Sequence, residues 1–309
     1  MAPSVEPGAE VVTFDVMSCR GRVLVAGGAD PANSAERAVD HLEQLEQRWS
    51  RFVPTSEISR LNAAAGEPTE VSADTVTLVE HLIEAQTLTG GAFDPTLLRP
   101  IIELGYATSR SDARRRSAVP DDVAARGSVS GVVVDHRRST ITLPLGTALD
   151  PGGLGKGLSA DLVVAELMRQ GASGCLVEVG GDLRVAGAAP GGHAWTIAVD
   201  GDDGPPLLLA SGGLATSSSR RRTWQLDGRL HHHLLDPVTL QPTDHGVVEC
   251  SVAVGSAAHA EALTKVAFVR GLADGVGFYA DRGIAARVVD ADGSIVTTPA
   301  WRDLQGATR

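Results

Sequence analysis

The chain has 309 residues, of which 43% are hydrophobic and 21% charged, and its formal net charge is −11. This composition is typical of a folded globular protein with one large domain or two modest ones. The acidic balance argues against nucleic acid or an anionic membrane as the main partner, because both carry negative charge. Only 4% of the residues are aromatic, which disfavours a base-stacking surface.

The cysteines and the beginning of the chain bear on its compartment. Cys19, Cys175 and Cys250 show neither a CxxC pair nor the spacing of a zinc site, so we expect reduced thiols. The first residues lack the basic and apolar regions of a signal peptide and a lipobox-like cysteine, and no apolar run is long enough to span a bilayer. We therefore expect a cytoplasmic protein with no membrane insertion.

The apolar pattern predicts an α+β fold with mainly antiparallel sheets and several long helices packed on them. Residues 1–10 are expected to be a flexible tail, and alternation over 10–28 predicts two strands around a turn at Arg20–Gly21. Helical spacing predicts helices over 30–52, 71–91, 158–170, 256–271 and the following stretch LADGVGFYADRG. Asn33 or Ser34 can cap the first helix and Ser72 the second, whereas Gly271 terminates the fourth. Residues 107–130 predict a polar surface insertion with a short helix.

The stretch DPGGLGKGLSAD, residues 150–161, combines four glycines with a lysine just before a predicted helix. It is not a Walker A loop, because Asp150 and Gly157 stand where that motif needs glycine and a hydroxyl residue, and Leu158 breaks a dinucleotide fingerprint. Backbone N–H groups, the helix dipole and Lys156 would nevertheless converge on one anion. The alternative is a tight turn that leaves Lys156 in solvent.

Two further glycine-containing stretches allow a binding interpretation and a structural one. The paired glycines of LVEVGGDLRVAG (176–187) indicate either a close-lying ligand or a β-bulge. In TGGAFDPT (89–96), Phe93 and Asp94 suit a flat heterocycle with hydrogen-bonding edges. Alternatively, Phe93 lies in the core and Asp94 caps the next turn.

The histidines and one acid–base pair offer reactive groups. Zinc binding by the triplet 231–233 is disfavoured because no further ligands are near, whereas a histidine leading into Asp236–Pro237 is well placed to exchange a proton. Glu261 and Lys265 lie four residues apart on one helix face, and for an isolated helix this spacing favours a surface ion pair.

Together these stretches resemble the ApbE-type flavin transferases, the FAD:protein FMN transferases, from about residue 12 to 300. The resemblance is carried, in order, by RFVPTSEISRLN, TGGAFDPT, LDPGGLGKGLSAD, LVEVGGDLRVAG, ATSSSRR, HHLLDPVTLQP and AEALTKVAFVRG. It implies a single two-lobed domain over 11–305 with a ligand cleft between the lobes. It also implies that FAD and Mg²⁺ bind, that the pyrophosphate is cleaved, and that FMN passes to a threonine or serine of an acceptor flavoprotein.

The resemblance also implies which residues form the site. The FAD-binding positions are Met17, Phe52, Ala92, Phe93, Asp94, Asp150, Lys156, Gly180, Gly181, Asp182, Thr216 and Ser217. Ser56, Glu57 and Asn62 border the cleft. His233 would accept the hydroxyl proton, Asp236 would orient the His233 side chain, and Lys156 would neutralise phosphate charge. The carbonyl of Gly153 and the side chain of Glu261 would hold the metal ion.

This sequence departs from the family pattern at four positions. The family has aspartate and threonine as metal ligands where this chain has Glu261 and Lys265, and a protonated lysine cannot ligate a cation. Its ammonium can take the place of the ion, so a Mg²⁺ requirement is open. Ser218 and Leu240 stand where the family has glycines of two tight turns. Two other functions therefore remain open: hydrolysis of FAD to FMN and AMP, and FAD binding without catalysis.

Overall fold

A computed structural model describes residues 9–192, 194–199, 201 and 204–306. The helices in these ranges are α1 (Pro31–Trp49), α2 (Glu57–Ala63), α3 (Ala73–Leu88), α4 (Leu98–Glu103), α5 (Gly155–Arg169), α6 (Ala257–Leu263), α7 (Lys265–Ala280) and α8 (Pro299–Leu304). The strands of the large sheet are β1 (Ala9–Val16), β2 (Cys19–Ala26), β6 (Gly174–Val179), β7 (Asp182–Gly187), β10 (Gly212–Ser218), β13 (Val247–Val254), β14 (Ala285–Asp290) and β15 (Ile295–Thr297). The smaller sheets contain β3 (Thr69–Glu70), β4 (Val133–Asp135), β5 (Thr140–Thr142), β8 (Trp195–Ile197), β9 (Leu207–Leu209), β11 (Thr223–Leu226) and β12 (Arg229–His232).

The large sheet has the order β1-β2-β6-β7-β10-β13-β14-β15, and each neighbouring pair is antiparallel. Side chains alternate between the two faces of the sheet along each strand, and both faces are buried. Val23 and Val177 pack in one cluster with residues of α1 and α5, whereas Leu176 packs in another with Trp301 of α8. The predicted α+β fold with mainly antiparallel sheets is confirmed.

Two tight turns lie side by side at the same end of the strands of this sheet. Met17 and Ser18 connect β1 to β2 with φ of 51° and 59°, and Gly180 and Gly181 connect β6 to β7 with φ of 63° and 92°. Positive φ at both positions is the geometry of a type I′ two-residue hairpin, which costs glycine little but strains other residues. The predicted turn at Arg20–Gly21 is wrong, because both residues lie within β2.

The helix boundaries correct several predictions. α1 is capped by Asp30, whose carboxylate accepts from the Asn33 N–H, and not by Asn33 or Ser34. Proline at N1 fits this start because its missing N–H would have no helical partner. The Ser72 cap of α3 is confirmed.

The predicted helix over 256–271 is two elements. α6 ends at Leu263 and α7 begins at Lys265, and the non-helical Gly271 (φ 79°) kinks α7 where we predicted the end of a helix. α5 begins at Gly155, three residues earlier than predicted, so Lys156 belongs to its first turn.

The terminal and inserted segments also differ from expectation. Residues 1–8 of the predicted tail lie outside the described residues, but Ala9 and Glu10 belong to β1. Within 107–130 the described chain has no helix, and Val123 and Val129 are buried. In the ranges described, every helix is too short or too polar to traverse a bilayer.

Candidate active site

A cavity of about 400 Å³ opens beside the two adjacent sheet turns. Its lining includes these predicted site residues: Met17, Phe52, Ala92, Phe93, Asp94, Asp150, Gly153, Lys156, Gly180, Asp182, Thr216, Ser217, His233 and Glu261. Gly181 and Asp236 were also predicted but are not part of this lining. Residues from all seven of the stretches that resemble the flavin transferases therefore meet in one cavity. Its size is typical of a small-molecule site.

Lys156, Asp182 and Glu261 form a buried charged cluster in the cavity. The Lys156 ammonium donates to Asp182 Oδ2 and to Glu261 Oε1, the latter at 2.5 Å, and the Gly157 N–H donates to Glu261 Oε2 at 2.8 Å. Burial alone would lower the pKa of Lys156, but attraction to both carboxylates outweighs burial and raises it. Lys156 is therefore fully charged at neutral pH.

The two carboxylates of this cluster differ in their surroundings. Burial opposes ionisation of Glu261, but Lys156 and Lys265 hold the pKa of this carboxyl below its ordinary value. Burial raises the pKa of Asp182, although Lys156 opposes the change. Asp182 Oδ1 also accepts from the Thr216 N–H at 3.2 Å, which connects β7 to β10.

Lys265 lies on the other side of Glu261, at the first residue of α7. Its ammonium donates to the backbone carbonyl of Glu261 at 2.7 Å. A Cβ atom added at Gly153 would lie 3.3 Å from Lys265 Cε, so this lysine reaches the glycine loop. Burial lowers the pKa of Lys265 to about 8, with a further contribution from Lys156 that Glu261 opposes. At pH 7 the ammonium is still the main form.

The predicted metal residues do not fit a magnesium ion. Both carboxylate oxygens of Glu261 are hydrogen-bonded, and its carbonyl accepts from Lys265. No group of three or more acidic, histidine or cysteine side chains that could hold a metal exists in the described part of the chain. The position predicted for the ion, between Gly153 and Glu261, is approached by the lysine side chain instead.

His233 lines the cavity and has a ring nitrogen without a hydrogen-bond partner among the described residues. This buried nitrogen is Nδ1. Burial lowers the pKa of His233 well below its ordinary value, and Arg222 and Lys265 lower it further. A neutral imidazole facing a cavity can take a proton. The predicted orienting role of Asp236 is not supported, because its Oδ1 accepts from the N–H groups of Val238 and Thr239 and no described bond joins it to His233.

An aromatic wall that the sequence analysis missed lies beside Phe52. The ring of Tyr106 lies 5.8 Å from that of Phe52, and the guanidinium of Arg51 lies 4.3 Å from the Phe52 ring centre and 4.9 Å from that of Tyr106. Tyr106 also stacks on Trp224 at 5.3 Å. The only available signal was position: Arg51 precedes a predicted site residue, and Tyr106 precedes the predicted insertion.

The segment 107–130 contributes to the cavity and is not only a surface insertion. Arg110 and Arg115 line the cavity from this segment. The guanidinium of Arg126 donates to Asp94 Oδ2 at 2.7 Å, while Asp94 Oδ1 accepts from the N–H and hydroxyl of Thr96. Asp94 thus connects the segment to the wall that contains Phe93.

The three residues predicted to border the cleft are not part of the cavity lining, and they stabilise the segments that form it. Ser56 caps α2, and Glu57 accepts from the N–H and hydroxyl of Ser72. The Asn62 side chain accepts from the Leu149 N–H at 2.8 Å and donates to the Leu149 carbonyl at 2.9 Å. This pair fixes the backbone directly before Asp150.

The sequence model of the ApbE family matches residues 12–288. The chain belongs to this family. It is 29% identical, over 79% of its length and 75% of the relative, to a Vibrio cholerae protein named FAD:protein FMN transferase. It has a TM-score of 0.83 to the crystal structure of an ApbE protein from Thermotoga maritima, at 24% identity, covering 96% of this chain and 99% of the other. The TM-score to the crystal structure of the flavinyl transferase ApbE from Pseudomonas stutzeri is 0.79, also at 24% identity, with full coverage of both chains. These two likenesses show the ApbE fold.

Proposed function

We propose that this ApbE-family chain is an FAD:protein FMN transferase, which attaches FMN from FAD to a threonine or serine of an acceptor flavoprotein. The observation that carries the proposal is the joint presence of Lys156, Lys265 and His233 in one cavity with the aromatic ring of Phe52. Ammonium groups suit the pyrophosphate, a ring suits the flavin, and a neutral imidazole suits proton transfer. Curated relatives named FAD:protein FMN transferase support the same activity.

The proposed step is a substitution at phosphorus. The acceptor hydroxyl oxygen attacks the phosphorus on the FMN side, and a new P–O bond forms as the bond to the AMP oxygen breaks. AMP leaves with the electron pair of the broken bond, and the hydroxyl proton passes to the imidazole of His233. Lys156 and Lys265 offset the negative charge that grows on the departing phosphate.

The placement of FAD in the cavity is also a proposal. Met17 and Phe52 would contact the flavin nucleotide, whereas Ala92, Phe93 and Asp94 would contact the adenosine part. Both Oδ atoms of Asp94 already accept hydrogen bonds, from Thr96 and from Arg126. Because Arg126 belongs to the segment 107–130, the contact of Asp94 with the adenosine part would depend on that segment. Residues 11–305 would act as a single two-lobed domain, and a cytoplasmic location remains a prediction.

The experiment incubates the purified chain with FAD and an intact flavoprotein domain carrying candidate threonine and serine sites. Intact-mass spectrometry and nucleotide chromatography follow the products. An acceptor heavier by one FMN residue, with an equal amount of AMP, supports the transferase. Free FMN with AMP would instead identify a hydrolase, and unchanged FAD retained by the protein would identify a binding protein.

A further inference from the structure

The chain has only two lysines among its 27 lysine and arginine residues, Lys156 and Lys265. Both side chains line the cavity. Elsewhere the chain uses arginine for every permanent positive charge. An ammonium differs from a guanidinium because it is a compact point charge with three donors, whereas the guanidinium is a wide planar fork. Both compact cations of the chain therefore lie at this one cavity.

The two ammonium groups have different partners. Lys156 lies between the carboxylates of Asp182 and Glu261, which compensate its charge. Lys265 has one hydrogen bond among the described residues, to the uncharged carbonyl of Glu261. Its remaining donors are thus free for an anion in the cavity, although the carboxylates of Glu261 and Asp182 also attract its charge. Arg222, which also lines the cavity, adds a further positive charge.

A divalent cation would have to compete with these contacts. Asp182 and Glu261 are each 2% exposed, and both accept from Lys156. A metal ion bound by either carboxylate would remove a partner from the largely buried Lys156, and an uncompensated buried charge is strongly unfavourable. The ion would also meet the ammonium of Lys265 at the Glu261 carbonyl.

We propose that the Lys265 ammonium takes the place of a divalent metal ion at the FAD pyrophosphate, so that FAD binding and FMN transfer need no divalent cation. The inference rests on the proposed function, because it assigns a charge to the same ligand. Lys156 orders the carboxylates, and Lys265 contacts the phosphates.

The first test measures FAD affinity from flavin fluorescence in EDTA and in Mg²⁺. The wild-type Kd should agree within about twofold in the two conditions, since no ligand–metal bond is gained. Calorimetric titration of the FAD complex with Mn²⁺ alone should give no stoichiometric binding. Binding of FAD that requires Mg²⁺ would overturn this inference but leave the proposed function intact. Absence of FAD binding in both conditions would overturn both.

Variants at one position separate charge from metal binding. Lys265→Met keeps the length of the side chain but removes the charge, so we expect the Kd for FAD in EDTA to rise about tenfold or more. Lys265→Thr removes the ammonium from the Glu261 carbonyl, which still accepts from the Thr264 hydroxyl at 2.6 Å. The new threonine also adds a hydroxyl oxygen, and carbonyl and hydroxyl oxygens are ligands that Mg²⁺ accepts. Its FAD affinity should become about tenfold higher in Mg²⁺ than in EDTA. Arg138→Met, at an exposed arginine of the β4–β5 turn, is the control and should bind like the wild type.

Because the chain has only two lysines, ¹⁵Nζ-lysine labelling gives one ammonium signal for each. Titration with FAD in EDTA should shift the signal that Lys265→Met removes, whereas Mg²⁺ alone should leave it unchanged. A Lys265 signal that responds to Mg²⁺ and not to FAD would overturn the inference even if a variant is poorly folded. A Lys265 variant with wild-type affinity in EDTA would overturn it too.

Discussion

His233 illustrates how its surroundings adapt one side chain to proton transfer. An ordinary histidine is partly protonated near pH 6.5 and is then unable to accept a proton. Burial lowers the pKa of His233 well below that value, and Arg222 and Lys265 contribute through repulsion. The cations that suit the pyrophosphate therefore also keep the imidazole neutral.

We predict that His233→Ala lowers the rate of FMN transfer about 10²- to 10⁴-fold, the usual contribution of a general base. The Kd for FAD should change by less than about twofold, because the imidazole acts on the acceptor hydroxyl in the transition state. Single-turnover transfer and flavin fluorescence measure the two quantities. His136→Ala is the matched control, since His136 is exposed and pairs only with Glu80. Wild-type turnover in His233→Ala would remove this histidine from the mechanism.

The crossing of α5 and α6 is the contact between elements that assembles the charged cluster. A Cβ atom on Gly157 would lie 2.3 Å from the carbonyl oxygen of Ala257, so glycine lets the two helices approach closely. This approach brings the Gly157 N–H to Glu261, which lies 104 residues away in the sequence. The glycine stretch thus serves helix packing as well as ligand access.

We predict that Gly157→Ala lowers the free energy of unfolding by about 1–3 kcal/mol, because the backbone of α6 must move away. FAD binding should weaken as well, since Glu261 moves with α6. Gly155→Ala is the control in the same helical turn, because its Cβ would lie 3.6 Å from Pro151 Cβ, an ordinary contact. Its stability should stay within about 1 kcal/mol of the wild type. Equal urea midpoints for the two variants would contradict the prediction.

A histidine also joins three helices on the opposite side of α5. His41 of α1 lies between Asp74 of α3, at 3.7 Å, and Glu166 of α5, at 2.8 Å. The nearby carboxylate of Asp74 raises the pKa of His41 above 6.5, with a further contribution from the hydrogen-bonded Glu166, although burial opposes the shift. A folded-state pKa above the unfolded value means that the folded state binds the proton more tightly.

We predict that His41→Gln destabilises the fold by on the order of 1 kcal/mol at low pH. The contribution of His41 is complete below its unfolded pKa of about 6.5 and is lost as pH rises through the raised folded-state pKa. The difference in unfolding free energy between wild type and variant should therefore shrink from pH 5.5 to pH 8.5. Urea denaturation across this range measures it. A difference that grows with pH would contradict the assignment.

Local signals in the sequence predicted the elements better than the contacts between them. The Ser72 cap follows from short-range chemistry and is confirmed. Gly271 interrupts the helix at the predicted residue, but α7 continues beyond it to Ala280. The Met17–Ser18 turn could not be predicted, because it places two non-glycine residues at positive φ under the pairing of β1 with β2. Spacing alone favoured a Glu261–Lys265 surface ion pair, but the Glu261 carboxylate contacts Lys156, which lies 105 residues away.

At the scale of the whole molecule, the chain is acidic but its cavity is lined by more basic than acidic side chains. Its net charge is −11, yet arginine and lysine outnumber aspartate and glutamate among the described residues of the cavity lining. The excess comes partly from arginines of the segment 107–130 and of the loop after β10. Short-range contacts can therefore hold a polyanion such as FAD although the whole protein repels it at long range.

Arg51 connects the separate segments that form the cavity. Its guanidinium donates to the Ser117 hydroxyl at 2.7 Å and to the Tyr106 carbonyl at 2.9 Å, and its Nε lies 3.3 Å from Asp150 Oδ2. One buried side chain thus joins the end of α1, the segment 107–130 and the glycine loop. Loss of such charge-assisted bonds loosens every segment that shares them.

We predict that Arg51→Met weakens FAD binding about tenfold and exposes the segment 107–130, because the segment loses its contact at Ser117. Trypsin should then cleave faster after the arginines of 110–116, and addition of FAD should slow the cleavage. Arg60→Met is the control, since Arg60 is exposed and has a single hydrogen bond, to the Glu70 carbonyl at 3.3 Å. Tryptic cleavage at the wild-type rate in Arg51→Met would show that other contacts hold the segment in place.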